Sequence, residues 1–455
     1  MARKVFIAVL GTGNYGACQY KKGKFESSKT RFIQQATLEY LKEQDSWAEV
    51  ERKEDGKEER FEHHALILLT EAARTKNWNA QEDNRNPSYD GLEKILADMN
   101  LNFPIQTIDI KNGRNEEEMW DIFNALYEEL KPGDHLFFDL THGFRYLPML
   151  VLVLGNYAKF LKEVTVRHIS YGNYEAMDKS TNMAPLMDIL PLTILQDWTF
   201  AAADLIRNGN IQRLHELTKN TALMPVLRAK GKSNLEKKAA EQPLTEYIDS
   251  LQKFLKDMKL CLAPRIIKGE SINTVNDFYI LVKGQDKEYI APLPPIIDQI
   301  QGTLSEFKVA SIDNPIIHHN GYQAALWCFE HQLYQQAFTI LDESITTHFC
   351  DYLGMDKHVY SQRKAAGAFL RHDGYKEEDW RDEELNNVRQ NAKAAYFKPE
   401  VRNFIYNLQG ISNWIHGRRN TYNHASMGRN DSLTLEDIDE LKKKIDSVIN
   451  LTKKL

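Results

Sequence analysis

Apolar positions follow two regimes along the chain. Up to about residue 190, short unbroken apolar runs alternate with segments of helical spacing; beyond it the helical spacing dominates. The runs at 5–10, 64–70, 105–110, 136–138 and 164–170 read as five buried strands. Between them, 30–44, 89–100, 116–130 and 147–161 read as helices, and Lys131-Pro132-Gly133-Asp134 supplies a stop. The charged stretch 45–61 reads as a solvated connection, and 71–78 begins a loop. Strands alternating with helices predict a parallel sheet covered on both faces, so residues 1–188 are expected to form a Rossmann-like α/β domain.

From Pro185 to Pro191 the chain reads as a connection. After it, 193–217 is helical with a break at Asn208-Gly209-Asn210, and the lysine-rich run 230–238 reads as solvated. Residues 244–262 form an amphipathic helix, Pro292-Leu293-Pro294-Pro295 is a rigid break, and 296–311 is helical again. Residues 189–312 are therefore expected to be a helical linker or insertion, and 313–455 an all-α domain. The last part carries one long core helix over 323–347, a second over 401–415 and a third over 435–451.

Composition narrows the function classes. A chain of 455 residues exceeds one ordinary domain. Its net charge of −6 excludes a globally basic nucleic-acid coat, so any RNA or DNA site must be local. The four cysteines show no CxxC spacing and read as buried reduced thiols. No apolar run reaches the ~18 residues of a membrane span, and the run at 5–10 is too short for a signal core. A cytoplasmic protein without a membrane partner is expected.

Three stretches carry candidate chemistry. Gly11-Thr12-Gly13-Asn14-Tyr15-Gly16 follows the first strand and resembles the glycine fingerprint of dinucleotide folds. The following segment carries Lys21, Lys22, Lys24, Glu26 and Lys29 without a helical apolar face, so it reads as a loop or hairpin and disfavours nicotinamide binding. The second is Asp139-Leu140-Thr141-His142-Gly143-Phe144-Arg145 between a strand and a helix. Backbone N–H groups of a glycine loop and of a helix N-terminus bind phosphate. Asp139 would repel phosphate, so it orients its own turn or meets a hydroxyl; His142 caps its helix or contacts the ligand.

The third stretch is His416-Gly417-Arg418-Arg419-Asn420-Thr421-Tyr422-Asn423-His424. RNA cleavage by its own 2′-hydroxyl needs a base, an acid and positive charge on the phosphate. Histidine titrates near neutrality, and arginine presents a planar fork of donors. Neither role needs a metal, and no metal site is expected. On an ideal helix Arg419 and His424 stand ~140° apart. Either the segment is not regular helix, as Gly417 hints, or a second copy completes the site.

Taken together these residues resemble a known family. Asp139-Leu140-Thr141-His142-Gly143 is similar to the DxTHG motif of CRISPR-associated proteins with an N-terminal Rossmann-like CARF domain and a C-terminal HEPN domain. Arg419 to His424 resembles the HEPN R-x4-6-H motif, including its Arg-Asn start at Asn420. The resemblance implies a cyclic-oligoadenylate-activated, metal-independent single-stranded RNA endoribonuclease of type III CRISPR defence. It implies ligand contacts at Gly11, Thr12, Gly13, Asn14, Thr141, His142, Gly143 and Arg145, with the loop near Glu71 and Asn77 as an addition. It implies catalysis by Arg419 and His424, with Asn420 and Asn423 as supporting donors. Cyclic tetra-adenylate is the favoured activator and cyclic hexa-adenylate the other; the partners implied are single-stranded RNA and a second copy of the chain, in a homodimer or higher oligomer. Whether Thr141 or His142 also cleaves the ligand stays open. The alternative is a ligand-responsive transcription regulator whose helical middle is a helix-turn-helix, with Lys253, Lys256 and Lys259 on the recognition helix.

Overall fold

In the computed structural model the chain divides into two compact units, Met1–Ile194 and Leu195–Leu455. The described residues are 2–52, 56–79, 89–143, 145–219, 234–284, 293–308, 318–372, 383–423 and 434–452.

The first unit is built on one sheet. Its strands are β1 (Ala2–Leu10), β2 (Gln19–Lys22), β3 (Phe25–Glu26), β4 (Val50–Arg52), β5 (Glu58–Leu69), β6 (Ile105–Asp109), β7 (His135–Asp139), β8 (Thr165–Gly172) and β9 (Met183–Asp188). The order is β3-β2-β9-β8-β7-β1-β5, with β4 and β6 both pairing β5. The central strands β6, β5, β1, β7 and β8 run parallel. β1 is buried along almost its whole length, as a strand with both faces covered must be.

The helices are α1 (Ile33–Lys42), the single turn α2 (Glu71–Ala73), α3 (Leu92–Asp98), α4 (Glu116–Glu129) and α5 (Leu147–Lys162). From β1 the chain steps outward through β5 to β6, then returns across β1 to β7 and steps the other way to β8. Right-handed crossovers on a path that reverses place the helices of its two halves on opposite faces. α1 and α3 bury Ile33, Ala36, Leu41, Leu92 and Leu96 in one core with Phe6, Ala8, Leu10 and Ile67. The reversal falls between β1 and β7, and the crevice beyond the carboxyl ends of such a pair is where open α/β sheets bind ligands.

Four expectations for this unit need correction. Residues 71–78, expected to begin a loop, form α2 and a further helical turn over Arg74–Trp78. The sheet is mixed, because β9 runs antiparallel to β8, and β2–β3 and β4–β5 are antiparallel pairs, while β2 pairs β9 in parallel. The expected connection at Pro185 is part of β9, where Ala184 and Leu186 point inward in strict alternation. Pro185 lacks an N–H, but its carbonyl still accepts from Asn173 N at 2.9 Å. The charged 45–61 segment contributes β4 and the start of β5. The lysine-bearing segment after the glycine loop forms the β2–β3 hairpin, one of the two readings held above.

The second unit is helical throughout its described residues. Its core pairs helix Tyr334–Leu353 with helix Pro399–Asn423; Phe338, Leu341, Ile345 and Phe349 lie opposite Phe404, Leu408 and Ile415. The spacing of those positions is the helical three-four repeat. The single helix expected over 323–347 is two, His318–Glu330 and Tyr334–Leu353. Gln332 sits between them at φ +60°, and Leu333 N donates to Cys328 O at 2.8 Å, closing the first helix. No glycine or proline announces that break. His331 stacks on Trp327, with ring centroids 3.8 Å apart, and reaches the Ile206 carbonyl at 3.2 Å, so tertiary contacts hold the turn. The 296–311 segment is helical only as part of Pro294–Gly302, with residues 309–311 outside the described residues. The first part of the lysine run, 230–233, also lies outside them, and 234–238 begin the helix Asn234–Lys259.

Candidate functional site

Two turns meet at the switch point. β1 delivers Gly11–Asn14, and β7 delivers Thr141–Arg145 into the N-terminus of α5. In register, Ala8 of β1 lies beside Asp139 of β7, so the two turns leave the sheet side by side.

Asp139 holds the second turn from within. It is 1% exposed, and its carboxylate accepts from Thr141 N at 3.1 Å, Thr37 Oγ1 at 2.9 Å and Ser170 Oγ at 3.1 Å. Burial pushes its pKa up, opposed by those same donors. Asp139 thus orients its own turn. Thr141 Oγ1 accepts from Gly172 N at 2.8 Å, tying the turn to the end of β8. Gly143 has φ +124°, and a Cβ there would stand 2.8 Å from Leu147, so only glycine fits. Arg145 is exposed at the mouth of α5, while Phe144 lies outside the described residues.

Asn77 clamps the first turn. It is buried, and Nδ2 donates to the carbonyls of Gly11 at 2.8 Å and Gly13 at 3.0 Å. In a planar trans peptide N–H and C=O point oppositely. The clamp therefore turns the Thr12 and Asn14 amides away from Asn77. Burial raises the Tyr15 pKa, and the backbone of Gly11 and Gly13 beside its hydroxyl opposes that shift.

Tyr15 joins the turns. Its ring stacks on His142, with centroids 4.1 Å apart and planes 23° apart. Burial pushes the His142 pKa down to about 4, so the ring is neutral near pH 7, and its Nε2 has no hydrogen-bond partner among the described residues. Beside the stack is a cavity of ≈ 120 Å³ lined by Asn14, Tyr15, Gly16, Tyr20, Arg31, His142 and Tyr174. Arg31 donates to the Tyr15 carbonyl at 2.7 Å and lies over the Tyr89 ring. Sequence reasoning named the glycines, Thr141, His142 and Asn77, but not Tyr15, Arg31 or Tyr174 as site residues. Tyr15 stood inside the glycine fingerprint, and Tyr174 directly followed the fifth strand; Arg31 gave no signal.

The C-terminal residues assemble differently. Helix Pro399–Asn423 runs unbroken through Gly417 and Arg419, so Gly417 makes no turn and Arg419 and Asn420 sit on regular helix. Arg419 Nη1 donates to Asp342 at 2.8 Å and lies 2.9 Å from Glu343. Asp342, 2% exposed, also meets His416 Nδ1 at 3.0 Å. Burial alone would raise the Asp342 pKa, but His416 and Arg419 outweigh it and the net shift is downward, so the carboxylate is ionised. Glu343 is held in turn by Arg363. Asn423 accepts from Gln335 at 3.2 Å. His424 lies outside the described residues. Asp342 was missed, although an acid on the core face of an apolar helix, between Leu341 and Ile345, was a visible anomaly.

Among the described residues, no group of three or more His, Cys, Asp or Glu side chains is placed to hold a metal ion. Among the same residues, no helix is long and apolar enough to cross a membrane.

Comparison with known proteins bears on the first unit above all. Residues 5–175 match the family model described as the CARF domain of the CRISPR system endoribonuclease Csx1. That span runs from β1 to just past β8 and includes both turns of the crevice. A CRISPR-associated protein of Methanocaldococcus jannaschii is 24% identical over 265 residues, covering 56% of this chain and 35% of that protein. The chain thus spans little more than a third of the curated relative it matches. The two matches support a CRISPR-associated protein that carries a CARF domain.

Proposed function

We propose that the chain is a cyclic-oligoadenylate-activated, metal-independent endoribonuclease that cuts single-stranded RNA in type III CRISPR defence. In this reading residues 1–188 are the sensing CARF domain, 189–312 a helical connection and 313–455 a HEPN ribonuclease domain. The observation that carries it is the convergence of two donor-bearing turns at the switch point, inside the span that matches a CARF family model. A cyclic oligoadenylate is polyanionic and symmetric. The glycine-loop amides, the α5 N-terminus and Arg145 suit its phosphates, and the cavity edged by Tyr174 and Arg31 suits a ring. A homodimer lays two such crevices across one ligand. Cyclic tetra-adenylate is the favoured activator, with cyclic hexa-adenylate second.

In the second unit, Asp342 fixes Arg419 with its fork in one orientation, as a residue that must meet a phosphate at a set geometry requires. Arg419 steadies the phosphate in flight, His424 moves the proton, and Asn420 and Asn423 are supporting donors. In this reading the Arg419–His424 pair is completed between two copies of the chain. The test is incubation with labelled single-stranded RNA in EDTA, with and without each cyclic oligoadenylate. Cutting that requires the ligand and survives EDTA is expected; no cutting in any combination would overturn the reading.

A further inference from the structure

We infer that Tyr15 is a built-in placeholder at the anion site: in the empty crevice its hydroxyl stands against the Gly11 backbone and its ring against Gly13, and an incoming phosphate takes that place by displacing it, which also lifts Tyr15 from His142. The identity of the phosphate-bearing ligand rests on the reading above; the self-occupancy does not.

The geometry leaves little alternative use for the ring. A Cβ added at Gly11 would stand 2.4 Å from the Tyr15 hydroxyl, and one at Gly13 would stand 2.7 Å from Cε1. The hydroxyl thus points end-on at the Gly11 backbone, and the ring meets Gly13 at Cε1. The ring also stacks on His142. A single side chain thus covers the backbone of one turn and the imidazole of the other. Only the side chain need move, because Arg31 pins the Tyr15 carbonyl. The adjoining cavity, already edged by Tyr15, offers space for the ring.

The exchange is favourable on chemical grounds. A neutral phenol oxygen beside the loop backbone gives way to an anionic oxygen, and charge-assisted hydrogen bonds from backbone N–H groups are about twice as strong as neutral ones. His142 gains as well. Its buried Nε2, unpartnered among the described residues, meets solvent or ligand once the stack opens. The downward pKa shift of His142 has burial as its one cause, which agrees with a ring that covers it.

The test uses the full chain, its Tyr15→Phe variant and two ligands: cyclic tetra-adenylate and inorganic tripolyphosphate, which carries phosphates without bases. Unliganded melting temperatures establish that the variant folds. Tyr15→Phe keeps the ring and removes the competing hydroxyl, so both ligands should bind about 3- to 10-fold tighter than to the parent. Equal or weaker binding of both, or no binding of either ligand to either protein, overturns the placeholder. Tighter tripolyphosphate binding without any binding of cyclic tetra-adenylate retains the placeholder and overturns the oligoadenylate reading. A second variant, Tyr15→Ala, opens His142 to water. Its imidazole pKa, followed by NMR, should rise from about 4 toward the ordinary 6.5; a pKa that stays where it is would contradict the covering role of the ring.

Discussion

The crevice of the first unit and the Arg419 cluster of the second both carry donors that suit an anion, but each draws that capacity from different materials. In the crevice it comes from backbone amides, aimed by Asn77 and Asp139 and overlaid by Tyr15. In the helical unit it comes from a guanidinium that two carboxylates already hold. Backbone donors that face a cavity can be met by water, and a ligand can take them over. A paired guanidinium is fixed in place by its acids and serves as a rigid tool. The contrast suits a site that responds and a site that acts.

The sharpest way to break this contrast is to remove the tool. Arg419→Ala or His424→Ala should lower ligand-stimulated RNA cutting by roughly 10²- to 10⁴-fold while ligand affinity is retained. Cutting at the parental rate would remove the residue from catalysis. Next comes the support beneath it. Asp342→Ala leaves Arg419 and His416 without their shared carboxylate and should cost about 3–5 kcal/mol in urea unfolding of the helical unit. A loss below about 1 kcal/mol would make the cluster a surface-type pair.

In the crevice, Asp139→Ala strands the buried hydroxyls of Thr37 and Ser170 and frees the Thr141 amide. A loss of about 1–3 kcal/mol is expected, with weaker ligand binding. Parental stability would show that the turn holds itself.

The smallest effect is a pH dependence. The folded pKa of His142 lies near 4, below its ordinary 6.5, so above pH 6.5 the group contributes no proton linkage. As pH falls from 6.5 to 4 the unfolded chain takes up a proton that the folded chain refuses, and stability drops by at most about 1.4 kcal/mol per pH unit. Other histidines whose pKa is lowered by desolvation, His63, His135 and His348, add slopes of the same sign. The His142→Asn variant should therefore lose stability less steeply than the parent across this window. Identical slopes in urea titrations at pH 7, 6 and 5 would show that His142 is not buried as neutral imidazole.

The same contrast explains what the sequence made legible. β1, β5, β6, β7 and β8 announce themselves as β-branched or aromatic runs, and the glycine and Thr-His-Gly turns follow two of them directly. A site made of backbone leaves marks where backbone is unusual, at Gly11, Gly13 and Gly143. The clamp by Asn77 and the cover by Tyr15 depend on residues 64 and 4 positions from Gly13 and Gly11, and only the fold brings them together. In the helical unit, Asp342 and Arg419 are 77 residues apart, and no local pattern pairs them. The break at Gln332 and the inclusion of Pro185 in β9 escaped for the same reason: tertiary contacts overrode local signals. Gly417 is the converse case, a residue that suggests a turn yet is carried within a helix packed along its neighbour.

The central claim is that the crevice between β1 and β7 binds a cyclic oligoadenylate. The direct measurement is the melting temperature of the chain with cyclic tetra- or hexa-adenylate, beside a His142→Ala, Arg145→Ala double variant. A ligand that binds only the folded state must raise the melting temperature. A ligand-dependent rise in the parent that shrinks in the double variant is the predicted result. No rise with either ring, or a rise of equal size in the variant at every ligand concentration, would contradict it.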